Sequence, residues 1–369
     1  MIRILHVVHG MDCGGTENII MNLYRNIDRS KVQFDFLVHT KKQCFFDDEI
    51  KKLGGQIYRV PYYNILNLFK YQKALKRLFV SHKEWRVVHG HLGSCACIYL
   101  RIAKKYGIYT IAHSHNVNNS HLSIKGLLYR LHALQTRGVA DYYMGCSNEA
   151  GIDRYGRKIT EGDCFCVLHN GIKVDEYIFQ KSIRNKIRKE LEIEDHFVIG
   201  NVGRFSLQKN HMFILDVFTC LRKISDRYVL VLVGDGELKQ NIVAKATQLG
   251  ILDAIVFTGI RRDVPKIMTA FDMFLFPSFY EGLGIVLIEA QASGLPCIAN
   301  KDGIMPLAVI SDLVELKSLA DGAHAWAEYI EKIRRKEIVR KDMSSAVKEA
   351  GFDVIDVAKW LENFYLSLL

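Results

Sequence analysis

Short β-branched or apolar runs alternate with stretches of helical periodicity along the whole chain. The apolar runs predict strands at Ile2–His9, Phe34–Thr40, Val87–His89 and Tyr109–His113. A second series follows at Phe197–Val202, Tyr228–Val233, Ile255–Thr258, Met273–Phe276 and Pro296–Ala299. Helical patterns of about 10 to 16 residues fill the intervals, the signature of βαβ units and parallel sheets. The strand series is interrupted at His169–Tyr177, which reads as a linker. A basic amphipathic stretch, Ser182–Glu194, then precedes a fresh strand at Phe197. The expected fold class is therefore α/β, with two Rossmann-like domains of parallel sheet, residues 1–172 and 173–353, facing a central cleft. No sequence repeat marks either half.

Length agrees with that division, since 369 residues exceed one ordinary core and suit two. No apolar run reaches the roughly 18 residues that span a bilayer. The start, MIRILHVVHG, reads as a strand running into a glycine loop rather than as a signal peptide. The nine cysteines are scattered; Cys95/Cys97 and Cys164/Cys166 form C-x-C pairs without metal-ligand spacing. A reduced cytoplasmic protein with buried free thiols is expected.

Charge changes the picture because it is uneven. Residues 1–168 hold 24 Lys+Arg against 13 Asp+Glu, a balance of +11, and residues 169–369 hold 26 against 27. An anionic membrane surface or an anionic acceptor suits the basic half. Nucleic acid is not expected as a partner, for basic and aromatic residues do not interleave in a nucleic-acid motif. The predicted helix Asn64–Lys83 sets Ile65, Leu68, Phe69, Leu75, Leu78 and Phe79 on one side and Lys70, Lys73, Lys76 and Arg77 on much of the rest. It reads either as a domain helix with a solvated face or as an interfacial helix drawn to anionic lipid.

The chemistry concentrates in LFPSFYEGLGIVLIEAQASGLPCIA. Met273–Pro277 reads as a buried strand, Gly282–Gly284 as a turn, and about Ile285 to Ser293 as a helix. Glu281 then stands at the carboxyl end of a strand, where α/β sheets present ligand loops. The amides of the turn and first helical turn make an anion site, and Glu289 lies about two turns further on. A sugar nucleotide offers matching groups: sugar hydroxyls, a diphosphate and ribose hydroxyls. Upstream, Asn201-Val-Gly203-Arg204-Phe and Gln208-Lys209-Asn-His are a strand end with two cations beyond it, suited to a leaving diphosphate. No D-x-D sequence occurs, and Gly234-Asp-Gly236-Glu237 reads as a structural turn.

EGLGIVLIEAQASGLPCIA resembles the E-x7-E signature of the retaining glycosyltransferases of family 4, of the capsular, exopolysaccharide or O-antigen type. The resemblance implies the GT-B fold and a metal-independent transfer without a cofactor. The sugar would pass from a nucleotide-diphosphate donor, such as a UDP-sugar, to a saccharide or polyprenyl-linked acceptor. It implies that the second domain binds the donor. Arg204 and Lys209 would grip the diphosphate, and Glu281, Gly282, Leu283, Gly284 and Ile285 would meet the sugar and phosphates. Glu289 would meet the ribose, with Gly203 close by, and the base would be read by backbone groups of Ile260 and Arg261. It implies that the first domain binds the acceptor, with residues 354–369 packing back on it, and that Gly14, Gly15 and Glu17 form a GGxE-like loop near phosphates and acceptor. HSHN implies a catalytic histidine, His113 or His115, with His115 preferred. The family's NGxD hinge is here Asn170-Gly171-Ile172-Lys173, so position 173 has no acid. The enzyme is expected as a peripheral protein on the inner face of a membrane. Rival readings are a GT-B nucleotide-sugar 2-epimerase and a non-catalytic partner of another transferase.

Overall fold

A computed structural model describes residues 1–12, 14–115, 134–336 and 339–368. The chain divides into two compact units, Met1–Ile172 with Gly351–Leu369, and Lys173–Ala350.

The first unit is built on seven parallel strands: β1 Ile2–Val8, β2 Val32–Val38, β3 Ile57–Arg59, β4 Trp85–Gly90, β5 Tyr109–Ser114, β6 Tyr142–Gly145 and β7 Phe165–Val167. Their order is β3-β2-β1-β4-β5-β6-β7. The central strands are buried over nearly their full length, as expected for a parallel sheet covered on both faces. One face packs Tyr71, Leu75, Phe79, Tyr99, Leu100 and neighbours into a single cluster. The chain's last helix, Val354–Ser367, returns to this unit and packs on the helix Gly15–Asn26. The Ile172 carbonyl accepts from the Val354 amide at 2.9 Å.

The second unit holds six parallel strands: β8 Phe197–Val202, β9 Tyr228–Val233, β10 Ile255–Gly259, β11 Met273–Phe276, β12 Cys297–Asn300 and β13 Val314–Lys317. Their order is β10-β9-β8-β11-β12-β13. Its core includes Leu215, Phe218, Tyr228, Leu230, Leu275 and Trp326. Each sheet grows from its first strand to one side and then resumes on the other. Each therefore has a switch point, β1/β4 in the first unit and β8/β11 in the second. Loops leaving two such strands diverge and open a crevice at their carboxyl ends.

Three expectations need correction. The strands β3, β6 and β13 lack the apolar runs that predict a strand: β3 and β13 are mostly half-buried, and β6 is the four residues YYMG. The helix over Asn64–Lys83 is two elements, a 3₁₀ turn Ile65–Asn67 closed by a reciprocal Asn64/Asn67 capping box, and a helix Leu68–Ser81. Its buried stripe is Tyr71, Leu75 and Phe79, while Phe69 stands 86% and Leu66 97% exposed. Two residues from Tyr71, Phe69 is turned about 200° around the axis and cannot share that stripe. Cys164 is exposed, not a buried thiol, and the eight cysteines of the described residues are all free. Among the described residues no helix is long and apolar enough to cross a membrane.

Candidate active site

The second switch point gathers the acidic and basic residues. Lys209 follows β8 and Glu281 follows β11, and their side chains meet at 2.7 Å with only 15% and 7% of each exposed. The Lys209 ammonium also sits 4.8 Å from the centre of the Phe276 ring, a cation–π distance. Gln208 donates to the Tyr280 carbonyl at 2.9 Å and to the other oxygen of Glu281 at 3.3 Å. The Phe279 amide donates to the Gln208 carbonyl at 2.9 Å. Asn210, in the left-handed region at φ 53°, donates to the Pro277 carbonyl at 3.2 Å. Few side chains tolerate that conformation, asparagine among them, and its bond holds the two loops in register. A Cβ at Gly203 would stand 3.1 Å from the Lys209 side chain, so the glycine makes room for the lysine stem.

Beyond Glu281 the chain turns through Gly282 and buried Leu283 to Gly284, at φ 79° the N-cap of the helix Ile285–Ala292. The first amides of that helix have no acceptor within it and face the crevice end of β11. Glu289 is half-buried on the helix and takes a hydrogen bond from the Tyr177 hydroxyl. Burial lifts the Glu289 carboxyl above its ordinary range, against the opposing pull of Tyr177 and Lys209. Tyr177 had no signal in the sequence, since its partner lies over a hundred residues away.

Arg204 has a different partner. Its side chain is 75% exposed and meets Glu237 at 3.0 Å. The turn that carries Glu237 is packed tightly: a Cβ at Gly234 would fall 2.1 Å from the Gly203 carbonyl oxygen. Ile260 is exposed, and the Arg261 side chain is tied to Asp263 at 2.8 Å and Glu190 at 2.7 Å. Lys173, where the hinge motif has an acid, is paired with Glu176 at 2.9 Å.

The first switch point has a different chemistry. Gly14 is the N-cap of the helix Gly15–Asn26, and Glu17 lies in its first turn. The helix dipole favours an anion there, yet burial prevails and raises the Glu17 carboxyl above its usual range. His113 and His115 are both drawn into a cluster with His89, His91 and His6. Period-2 alternation puts each H-x-H pair on one sheet face, and the β1–β4 register sets His6 opposite His89. His91 bridges His6 at 2.9 Å and His115 at 2.7 Å, while His89 bridges His113 at 3.1 Å and the Tyr365 hydroxyl at 2.5 Å. Burial pushes His6 down to about 3 and His115 to about 4, and holds His89, His91 and His113 well below their ordinary value. All five are neutral at physiological pH. The sequence pointed to both H-x-H pairs but not to His6 or Tyr365, which only strand register and the returning helix bring in. Asn116 lies outside the described residues, as does Cys13 of the glycine loop. Thr16, His91, His113, His115 and Arg154 are among the residues lining a cavity of about 280 Å³ beside the cluster.

Two doubly wound units, one with a lysine–glutamate pair and a glycine-capped helix at its switch point, define a glycosyltransferase of the two-Rossmann GT-B class. The chain belongs to the glycosyl transferases group 1, whose profile matches residues 183–350. It is 32% identical to the putative glycosyltransferase EpsF of Bacillus subtilis, over 98% of this chain and 96% of that protein. It is 31% identical to the Escherichia coli UDP-Gal:α-D-GlcNAc-diphosphoundecaprenol α-1,3-galactosyltransferase, over 55% of this chain and 54% of that one. Among solved structures, Anabaena HepE in complex with UDP and glucose superposes with a TM-score of 0.80 over the full length of both chains. At 20% identity, that likeness concerns the fold.

Proposed function

We propose that this chain is a retaining, metal-independent glycosyltransferase that moves a sugar from a UDP-sugar to a saccharide or polyprenyl-diphosphate-linked saccharide during surface polysaccharide assembly. The Lys209–Glu281 pair at the β8/β11 crevice carries the reading. A leaving diphosphate develops negative charge, and a preformed, partly buried ammonium there stabilises it without reorganisation. Lys209 would exchange part of its bond to Glu281 for the phosphate. The freed carboxylate, with the amides of Gly282 to Ile285, would position the sugar. Glu289 would accept from ribose hydroxyls with Tyr177 holding its carboxylate. Arg204, on an exposed and mobile type of side chain, would leave Glu237 for the outer phosphate. The backbone of Ile260 and Arg261 would read the base.

The acceptor is assigned to the first unit, where Thr16, between Gly14-Gly15 and Glu17 in the chain, lines the cavity with His91, His113 and His115. A diphosphoundecaprenol acceptor in the name of the E. coli relative supports a lipid-linked substrate. So does the basic first half, together with Phe69 and Leu66 exposed beside Lys70 and Lys73. The protein would work at the inner face of a membrane as a peripheral enzyme. Mass spectrometry of products from a panel of nucleotide sugars and lipid-linked saccharides tests the reading. A product heavier by one sugar residue, with an α anomer from an α-linked donor, is expected. Interconversion of the nucleotide sugar with no acceptor present would replace it with the epimerase.

A further inference from the structure

The five clustered histidines of the first unit are arranged as two ribbons. In one, His6, His91 and His115 are joined edge to edge. In the other, Tyr365, His89 and His113 are joined the same way. The ribbons lie face to face, with His89 over His91 at 4.4 Å between ring centres and His113 over His115 at 4.0 Å. Nitrogens of His91, His113 and His115 lie within 4.8 Å of one another. Stacked rings, however, aim their in-plane lone pairs side by side, and a metal needs them to converge. The arrangement is that of hydrogen-bonded neutral imidazoles.

Neutral imidazole has one N–H and one bare nitrogen, so a bond at one end of a ribbon dictates the next. The two ribbons differ in their ends. The first ends on His6 Nε2 and His115 Nδ1, both buried and without partners among the described residues. Among the described residues nothing orients it, and it can run either way. The second is terminated by a phenol. Tyr365 is fully buried, and its hydroxyl has the Nδ1 of His89 as partner. A phenol donates better than it accepts, and imidazole's bare nitrogen accepts better than a phenolic oxygen. The O–H therefore points to His89 Nδ1, His89 must carry its proton on Nε2, and that N–H must donate to His113 Nδ1. The proton of His113 is left on Nε2, which has no partner among the described residues although His113 lines the cavity.

We propose that Tyr365, acting through His89, is a positioning residue that locks His113 as the Nε2–H tautomer, presenting a fixed hydrogen-bond donor to a hydroxyl oxygen of the acceptor, while His115 at the end of the unoriented ribbon can donate or accept. The ligand class follows: a polyol whose hydroxyl accepts from His113 and shares its own proton with His115. The tautomer rests on geometry within the first unit alone; its use on an acceptor rests on the function proposed above.

Long-range ¹⁵N–¹H correlation spectra of the full-length protein, labelled at histidine and assigned with His89→Gln and His113→Gln, test it. The wild type should show His89 and His113 both protonated at Nε2. Tyr365→Phe keeps the ring that packs on Phe34 and should release both residues into mixed tautomers. The same substitution should lower kcat about fivefold to tenfold, the loss of one oriented neutral bond, with KM for the nucleotide sugar unchanged. Should that variant fail to fold, 3-fluorotyrosine at position 365 keeps the shape, and the His89 Nδ1 resonance must move with the stronger donor. A His113 protonated at Nδ1 in the wild type, or one indifferent to the change at 365, overturns the proposal. A locked tautomer in a protein that transfers no sugar would instead leave the relay standing and remove the function.

Discussion

The two units share one winding order and differ in what they place at its switch point. In the second, the crevice residues are paired acid to base: Lys209 with Glu281, and Arg204 with Glu237. In the first, the corresponding place is filled by imidazoles that burial keeps neutral. Topology thus fixes where a ligand can bind, and side chains decide what kind. A charged pair under partial burial suits a diphosphate. A set of neutral donors and acceptors suits hydroxyls, because none has to give up an ion pair to bind them. The proposed division into a donor site and an acceptor site rests on this difference.

The sharpest way to break this comparison is to remove charge from the second unit. Glu281→Gln and Lys209→Ala should each keep the fold and lower transfer by about 100-fold or more, since each acts where charge develops. Steady-state kinetics with near-normal rates would remove both residues from the site. Glu289→Ala should instead weaken nucleotide binding, because a ribose contact is made equally in ground and transition states.

Acid separates the units next. His115 at about 4 lies below the ordinary 6.5 of an unfolded chain, so below pH 6.5 the unfolded state binds the extra proton. Its stabilisation is complete above pH 6.5 and is lost as pH falls toward 4, worth roughly 3 kcal/mol. His6, His89, His91 and His113 act in the same direction. In the second unit, among the described residues, only His211 is lowered this way. Urea unfolding between pH 7.5 and 5, followed by Trp85 in one unit and Trp326 in the other, should show the first unit weakening more steeply. Parallel curves would contradict the contrast.

The surface charge gives a smaller effect. The protein should float with anionic liposomes at low salt and less at high salt. Reversal of Lys70, Lys73 and Arg77 to Glu should release it, at about 1 kcal/mol per basic residue, with nucleotide binding intact. If the wild type never floats, the basic half serves a soluble anionic acceptor. Least of all should change in excess chelator: activity is expected to persist, because in the proposed site Lys209 and Arg204 would supply the counter-charge. A reaction that stops in EDTA and restarts with Mn²⁺ would refute that.

Much of this architecture was legible in the chain. β8, β9 and β11 fall where their apolar runs predict them, because a parallel strand buried on both faces has no polar alternation to confuse it. β3 and β13 were not, since short, partly exposed strands lack that run. The Glu281 to Glu289 segment carries its geometry locally, in a strand, a glycine turn and a helix. What no local pattern could show is pairing across distance. Arg204 stood near Lys209 in sequence but turns to Glu237, and Tyr177 reaches Glu289 from the far end of the unit. The misplacement of Phe69 has the same origin, for the helix is anchored by Tyr71, whose hydroxyl bonds His39, just past the end of β2, at 2.7 Å.

The last helix has a consequence for how the molecule is made. Residues Val354–Ser367 belong to the unit that begins at Met1, and Tyr365 completes its interior. During synthesis the amino-terminal unit must therefore wait, its sheet emerging first and its closing helix last. The second unit, contiguous in the chain, needs no residue synthesised after its own last one. The half of the protein that is written first would be the half that matures last, and a nascent chain halted before residue 354 would expose the face that the helix covers.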